Sequence, residues 1–265
     1  MNAKKQPPQR WFNRQPLAPF GLALGLFLLA WELLARFSGW NVQVFPGPGQ
    51  VFSSLGELLA DGSLLRHTIA SLFRVTVGFY LAVLVGIPLG IVLGRHQLVN
   101  AICNPIIQFL RPISPIAWIP LAMLWFGIGD QPAIFLIFLA AVFPLLVSTA
   151  IAVKAINPVY YQVAANFNFT RIEIITKIVL PAITPATTTA LRISLSVAWL
   201  VVVAAEMIAV RSGLGYLILD SRNALRMDYV MVGMIVIGVI GLVLDLIMRE
   251  LGRSEATAWS QSERG

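Results

Sequence analysis

At 265 residues, 58% of them hydrophobic and only 12% charged, the chain departs from the make-up of an ordinary soluble domain. Its formal charge of +7 comes from basic residues scattered at the ends of apolar segments rather than gathered on one face. That distribution argues against a nucleic-acid surface and marks the cytoplasmic side of a membrane protein. The single Cys103 excludes an internal disulfide, no Cys/His cluster suggests a metal, and there is no Gly-x4-Gly-Lys-Ser/Thr loop to hold nucleotide phosphates.

In chain order, Lys4, Lys5, Arg10 and Arg14 lie in a polar tail (1–16) ahead of an apolar stretch over 17–37. That stretch is too long for a signal-peptide core, and Trp31 and Glu32 interrupt its end, so it predicts an uncleaved first span. Phe45-Pro-Gly-Pro48 breaks the chain, and an amphipathic stretch runs on to Arg74. Further spans are predicted at 72–94, 113–129, 132–153, 187–209 and 231–249, from apolar runs that approach or exceed the ~18–20 residues a bilayer requires. The expectation is an all-α membrane protein with six transmembrane helices in a 17–253 membrane domain, followed by a 254–265 tail. His67 and His96 read as surface residues near segment ends.

The basic residues orient this arrangement. With six spans and an inside N-terminus, Lys4, Lys5, Arg10, Arg14, Arg95, Lys154, Arg171, Lys177, Arg249, Arg253 and Arg264 lie in the cytoplasm. Arg36, Arg66, Arg74, Arg211, Arg222 and Arg226 lie outside, a bias of eleven to six. Both termini are then cytoplasmic, and so is the polar island 154–186.

Within the spans, Gly86, Gly90 and Gly94 recur every fourth residue and make one small-residue face for close helix packing. Pro88 on the same helix removes a backbone donor. Arg111-Pro-Ile-Ser-Pro-Ile-Ala-Trp-Ile-Pro120 carries three prolines, so no straight helix can run through it. Two readings stand: a broken helix beside a pathway, or an elbow near the cytoplasmic surface.

The island 154–186 is longer than loops usually are without a function. Pro158 suits a helix start, and Gln162 to Phe167 favour a helix whose small Ala164 and Ala165 allow a partner to approach. Asn168 tolerates the positive φ that closes a helix. A second amphipathic helix from Thr170 to Val179 is expected to stop before Pro181 and Pro185.

The spacing here resembles the coupling motif of ATP-binding-cassette importer permeases, Glu-Ala-Ala-x3-Gly-x9-Ile-x-Leu-Pro. Ala164, Ile178, Leu180 and Pro181 match in register, while Gln162, Val163 and Asn168 depart from it. Flanking stretches narrow the resemblance: Arg111 to Leu121, Phe126-Gly-Ile-Gly-Asp130, Ala198-Trp199, Ala204-Ala-Glu-Met-Ile208 and Gly213-Leu-Gly-Tyr216. Together they are similar to the nitrate/sulfonate/taurine/bicarbonate permeases over residues 45–250. The resemblance implies a type I importer permease fold, with a cytoplasmic coupling helix between spans four and five, working as a homodimer in a bacterial inner membrane. It also implies two cytoplasmic ATPase subunits carrying ATP and Mg, and a periplasmic or lipid-anchored binding protein that delivers a small anion. No cofactor is implied on this chain. Gln162, Val163, Ala164, Ala165, Asn168, Ile178, Leu180 and Pro181 are then the candidate ATPase-coupling residues, and Gln162 replaces an ion pair with a neutral hydrogen bond.

Pathway candidates are Arg111, Ser114, Trp118, Arg192, Ser196 and Glu206. Arginines at the cytoplasmic ends of spans three and five would lower the barrier to an anion, or snorkel to headgroups. Ser194 and Ser196 point to different faces of one helix, so only one of them can line a pore. Glu206 would repel an anion, and a pairing with Arg211, Arg222 or Arg226 near the outer surface is expected. Arg211-Ser-Gly-Leu-Gly-Tyr216 reads as a flexible turn, and Asp245 has no evident partner. Two other classes remain in view: a gradient-driven secondary transporter, which should show repeats and paired carboxylates, and a membrane protein with no transport path.

Overall fold

A computed structural model describes residues 17–262 other than 38, 40 and 42; the predicted tail 1–16 lies outside the described residues. It is almost entirely helical. In order come α1 (Leu17–Phe37), α2 (Pro48–Ala60), α3 (Ser63–Arg95), α4 (Gln97–Leu110), a 3-10 turn (Pro115–Trp118) and α5 (Ile119–Phe126). Then follow α6 (Asp130–Lys154), α7 (Pro158–Asn166), α8 (Arg171–Ile174), a π-helical turn (Ile175–Val179), α9 (Leu180–Ala209), α10 (Leu214–Asn223) and α11 (Met227–Ser262).

Among the described residues, four helical stretches are long and apolar enough to cross a membrane: Ser63–Arg95, Asp130–Lys154, Arg171–Ala209 and Met227–Glu250. A fifth is formed if α4 and the 3-10/α5 unit, bent 88° to each other, count as one span. The bounds of the span expected over 113–129 are therefore corrected, while the break expected within it is present. The chain is already helical from Gln97, breaks between Leu110 and Pro115, and restarts at a sharp angle, as the proline cluster requires. The second span also begins earlier than expected. α3 starts at Ser63, so Arg66 and His67, in the amphipathic stretch read ahead of the span, belong to the same helix as Arg74. The helix α11 continues to Ser262, into the segment read as a tail.

α3, α6 and α9 form the centre of the fold, with α10 and α11 against α9, and α2 across α11 and α3. The contact of α3 with α6 follows from its small-residue face. Gly78, Ala82, Gly86 and Gly90 are buried at four-residue intervals. A Cβ built on Gly90 would stand 2.6 Å from Thr149 Cβ and 2.8 Å from the Leu146 carbonyl oxygen. Only hydrogen fits there, so the backbones lie in contact along the seam.

The helix expected to stop at Val179 does not stop. Pro181 lacks an N–H, and its ring would strike the carbonyl four residues back in a regular α-helix. The π-helical turn over Ile175–Val179 widens the backbone just before it, and the rod continues past Pro185 to Ala209.

Candidate functional site

A polar region lies at each end of the helical bundle. The first is the segment between α6 and α9. Asn157 caps α7 by accepting the Val159 N–H (3.0 Å), and Pro158 occupies the first turn. The helix closes as its sequence requires: Asn168 adopts φ 52°, the Phe169 N–H donates to the Ala164 carbonyl (2.9 Å) and the Asn168 N–H to that of Ala165 (3.1 Å). This paired closure uses the left-handed residue that Asn supplies almost as readily as Gly. Thr170 and Glu173 then cap each other reciprocally at the start of α8. Lys177 donates to Glu173 at 2.8 Å.

Burial sorts the candidate coupling residues into two sets. Ala164 is fully buried, and Ile178 and Pro181 are half-buried. Val179 and Ile183 join Val153 and Ile156 in a small core, with Tyr161, Ile174 and Ile178 around it. This core seats the segment on the end of α6. Tyr161 lies under the Arg95 guanidinium, 5.4 Å from its ring centre, and burial pushes its phenol up. Gln162, Val163, Ala165, Asn168 and Leu180 face outward. Beside them Val159, Tyr160, Phe167 and Ile172 are exposed, Phe167 to 72% and Ile172 to 73%. The segment is thus a rigid, internally capped unit with one apolar side anchored and the other open. Val179, outside the expected set, is as fully buried as Ala164; its place in the motif gave no hint, because the pattern marks the residues beside it.

The second region lies at the opposite end of α3 and α9. Arg74 (2% exposed) donates to Glu206 Oε1 (2.7 Å), to Asp130 Oδ1 at the start of α6 (2.7 Å), and to the Ser212 carbonyl (2.8 Å) and hydroxyl. Glu206 (0% exposed) also accepts from Ser71 Oγ (2.8 Å) and from the Gly215 N–H (3.0 Å). The neighbouring N–H groups are taken in the same way. Gly213 donates to His67 Nδ1 (3.0 Å) and Leu214 to Ser71 Oγ (2.9 Å). Three successive N–H groups at the start of α10 are therefore capped by side chains of α3 and α9, satisfying donors a helix start leaves open.

Three expectations are corrected here. Glu206 pairs with Arg74, not with Arg211, Arg222 or Arg226, and in this conformation it faces no open path. Arg226 is engaged by Asp228 (2.7 Å) and lies over the Tyr229 ring. The turn at 211–216 is tied down rather than open: the Gly213, Leu214 and Gly215 N–H groups are all engaged, and a Cβ on Gly213, at φ 106°, would fall 2.3 Å from the Glu206 carboxylate. His67 is no surface bystander, since it is half-buried, stacks on Tyr216 and accepts a backbone N–H. The sequence did carry a signal: His67, Ser71 and Arg74 lie four and three residues apart, one polar face of a helix. It was hidden by placing the helix start near residue 72.

The remaining pathway candidates are dispersed. Arg192 makes a two-pronged pair with Asp245 of α11 (2.6 and 2.8 Å), which supplies the partner that Asp245 lacked. Ser196 is exposed on the same wall and donates back to the Arg192 carbonyl (3.0 Å), whereas Ser194 is buried. Ser114 is exposed before the 3-10 turn, and Trp118 is half-buried against the core of α5, α6 and α9. Arg111 ends α4.

Residues 86–254 match the family described as binding-protein-dependent transport system inner membrane component. The chain belongs to this family. Relatives of this permease agree over nearly its whole length. It is 42% identical to a putative ABC transporter permease of Methanocaldococcus jannaschii, covering 84% of this chain and 85% of the relative. It is 36% identical to the taurine transport system permease of Escherichia coli, with 94% and 92% covered, and 32% identical to a nitrate import permease of Synechocystis, with 91% and 90% covered. Among solved structures, an inward-facing form of the MetNI methionine ABC transporter aligns at TM-score 0.62 and 19% identity, over 73% of this chain and 96% of that one. That likeness shows the type I importer permease fold.

Proposed function

We propose that this permease is the membrane-spanning subunit of an ATP-driven importer for a small oxyanion-bearing solute of the nitrate or sulfonate/taurine type, and that it grips a separate ATPase through α7 and α8. The observation that carries the reading is the outer face of that segment. Val159, Tyr160, Val163, Phe167 and Ile172 are exposed on a unit capped at both ends and anchored on its other side. Exposed apolar side chains on a rigid helix ask for a protein partner, and Ala165 leaves room for close approach. The importer reading completes the arrangement: six spans with both termini cytoplasmic in a bacterial inner membrane, a homodimer, two ATPase subunits carrying ATP and Mg, and a periplasmic or lipid-anchored binding protein. Nitrate and taurine appear in the names of relatives, and both carry an oxyanion group, which supports that chemistry as the substrate class.

Purification of the tagged full chain from its native membranes in mild detergent, with cross-linking and mass spectrometry, tests the partner. An ATPase bearing a phosphate-binding loop should accompany it, through cross-links at Phe167→Cys. Uptake of labelled taurine and nitrate into vesicles should require ATP. Uptake that ignores ATP and collapses with an ionophore would replace the importer reading with a gradient-driven one.

A further inference from the structure

Helix α4 has three faces. Val99, Cys103 and Ile107 pack on Leu93, Leu146 and Ala150 of α3 and α6. Leu98, Ile102, Ile106 and Phe109 form an exposed apolar flank. The other flank is a polar stripe of Asn100, Asn104, Gln108 and Arg111, at spacings of four, four and three residues, on one side of a helix. A polar flank on a helix of membrane composition has no place against lipid tails and requires water or protein beside it.

The stripe is the wall of a groove against α6. A cavity of about 300 Å³ is lined by Asn100, Asn104, Gln108, Arg111 and Lys154 together with apolar side chains of α3, α4 and α6, Leu93 and Ile151 among them. It shares Asn100 and Lys154 with a second cavity of about 630 Å³, which continues past Arg95 and Gln97 to Tyr161 of α7. Lys154 Nζ donates to Asn100 Oδ1 at 2.8 Å, which turns the Asn100 amide nitrogen to serve as a donor. The two linings hold three cationic side chains and four amides, and neither contains Asp or Glu. Arginine, lysine and amide donors without a competing carboxylate are what a planar or tetrahedral oxyanion requires.

We propose that the two adjoining cavities from Arg111 to Arg95 form a binding site for small oxyanions, placed where cargo would leave toward the cytoplasm. The cargo side of this inference rests on the importer reading. A nitrate, sulfonate or carboxylate group and the phosphate of an anionic lipid share the chemistry the site selects. The site involves Asn100, Asn104, Gln108 and Lys154 beyond the arginine expected from the sequence.

The test uses the full chain with its ATPase in vesicles, on a Cys103→Ala background with Asn104→Cys. Its modification is timed with a sulfonate-bearing and a quaternary-ammonium-bearing methanethiosulfonate, each rate divided by that for free cysteine. The anionic reagent should be favoured about tenfold, within the range that charge-lined clefts give. Lys154→Glu should abolish or reverse the preference, Lys154→Gln should reduce it, and Leu98→Cys on the apolar flank should show none. Millimolar nitrate or taurine should slow the sulfonate reagent in neutral phosphatidylcholine vesicles, which assigns free cargo. Protection only in phosphatidylglycerol vesicles assigns a lipid headgroup and still sustains an oxyanion site. No anionic preference at Asn104→Cys, no reaction with either reagent, or protection by neither anion source overturns the proposal. Because the readout needs neither ATP hydrolysis nor uptake, an intact preference beside ATP-independent uptake would refute the importer reading alone.

Discussion

Removing Arg74 should cost more than removing the charge it neutralises. In Arg74→Met, Asp130 is half exposed and can turn to water, but Glu206 cannot. Its carboxylate would be left fully buried with two neutral donors, Ser71 Oγ and the Gly215 N–H. Breaking one side of a buried ion pair in this way costs about 3–5 kcal/mol. Glu206→Gln keeps the shape and leaves Arg74 bound to Asp130 and Ser212, so about 1–2 kcal/mol is expected, the order of a strained or lost hydrogen bond. Arg74→Met/Glu206→Gln, with no buried charge left, should recover much of the difference. The folded fraction after heating in detergent, read by size exclusion, gives the midpoints. At roughly 2–4 °C per kcal/mol for a chain of this size, Arg74→Met should melt roughly 6–20 °C below the wild type and Glu206→Gln roughly 2–8 °C below. If Arg74→Met is no worse than Glu206→Gln, or if the double variant shows the full sum of both losses, the pair is not the electrostatic unit described.

Three further outcomes are expected. Ala165→Glu should leave the protein inserted and folded while ATP-dependent uptake and ATPase co-purification are lost; survival of both would place the joint elsewhere. Gly90→Val, whose Cβ would overlap Thr149 and the Leu146 carbonyl, should destabilise the fold by about 1–3 kcal/mol, and an unchanged melting midpoint would refute the contact between α3 and α6. Asn168→Gly should be neutral or slightly stabilising, whereas Asn168→Val should cost about 1–2 kcal/mol at φ 52°; equal midpoints for the two would argue against the left-handed closure.

Much of the segment between α6 and α9 was legible because its signals are local. Pro158 and Asn168 each act within one helical turn and took the expected role, whereas the reciprocal Thr170/Glu173 cap is an equally local signal outside the expected set. The glycine face of α3 was legible for the same reason, since a four-residue repeat names its own packing side. What escaped depended on distance in sequence. Nothing local tells Glu206 to choose Arg74, 132 residues away, over Arg211, which is five residues off. Likewise Asp245 meets Arg192 only when α9 and α11 lie side by side. The stop expected at Pro181 failed for a subtler reason. Proline forbids a regular α-turn, not a helix, and one widened turn was enough to carry the chain through.

That widened turn has a mechanical consequence. From Arg171 to Ala209 the chain is one unbroken rod of 39 residues, about 58 Å at 1.5 Å per residue. One end carries the capped segment with its open apolar face; near the other, Glu206 holds the first turn of α10. A rod pivoting by about 5° around one end sweeps the other through about 5 Å, close to a full helical turn of travel. A hinge at Pro181 would have absorbed such a tilt. Without a break there, the hydrogen-bonded helix itself links a displacement at one end of this stretch to the other.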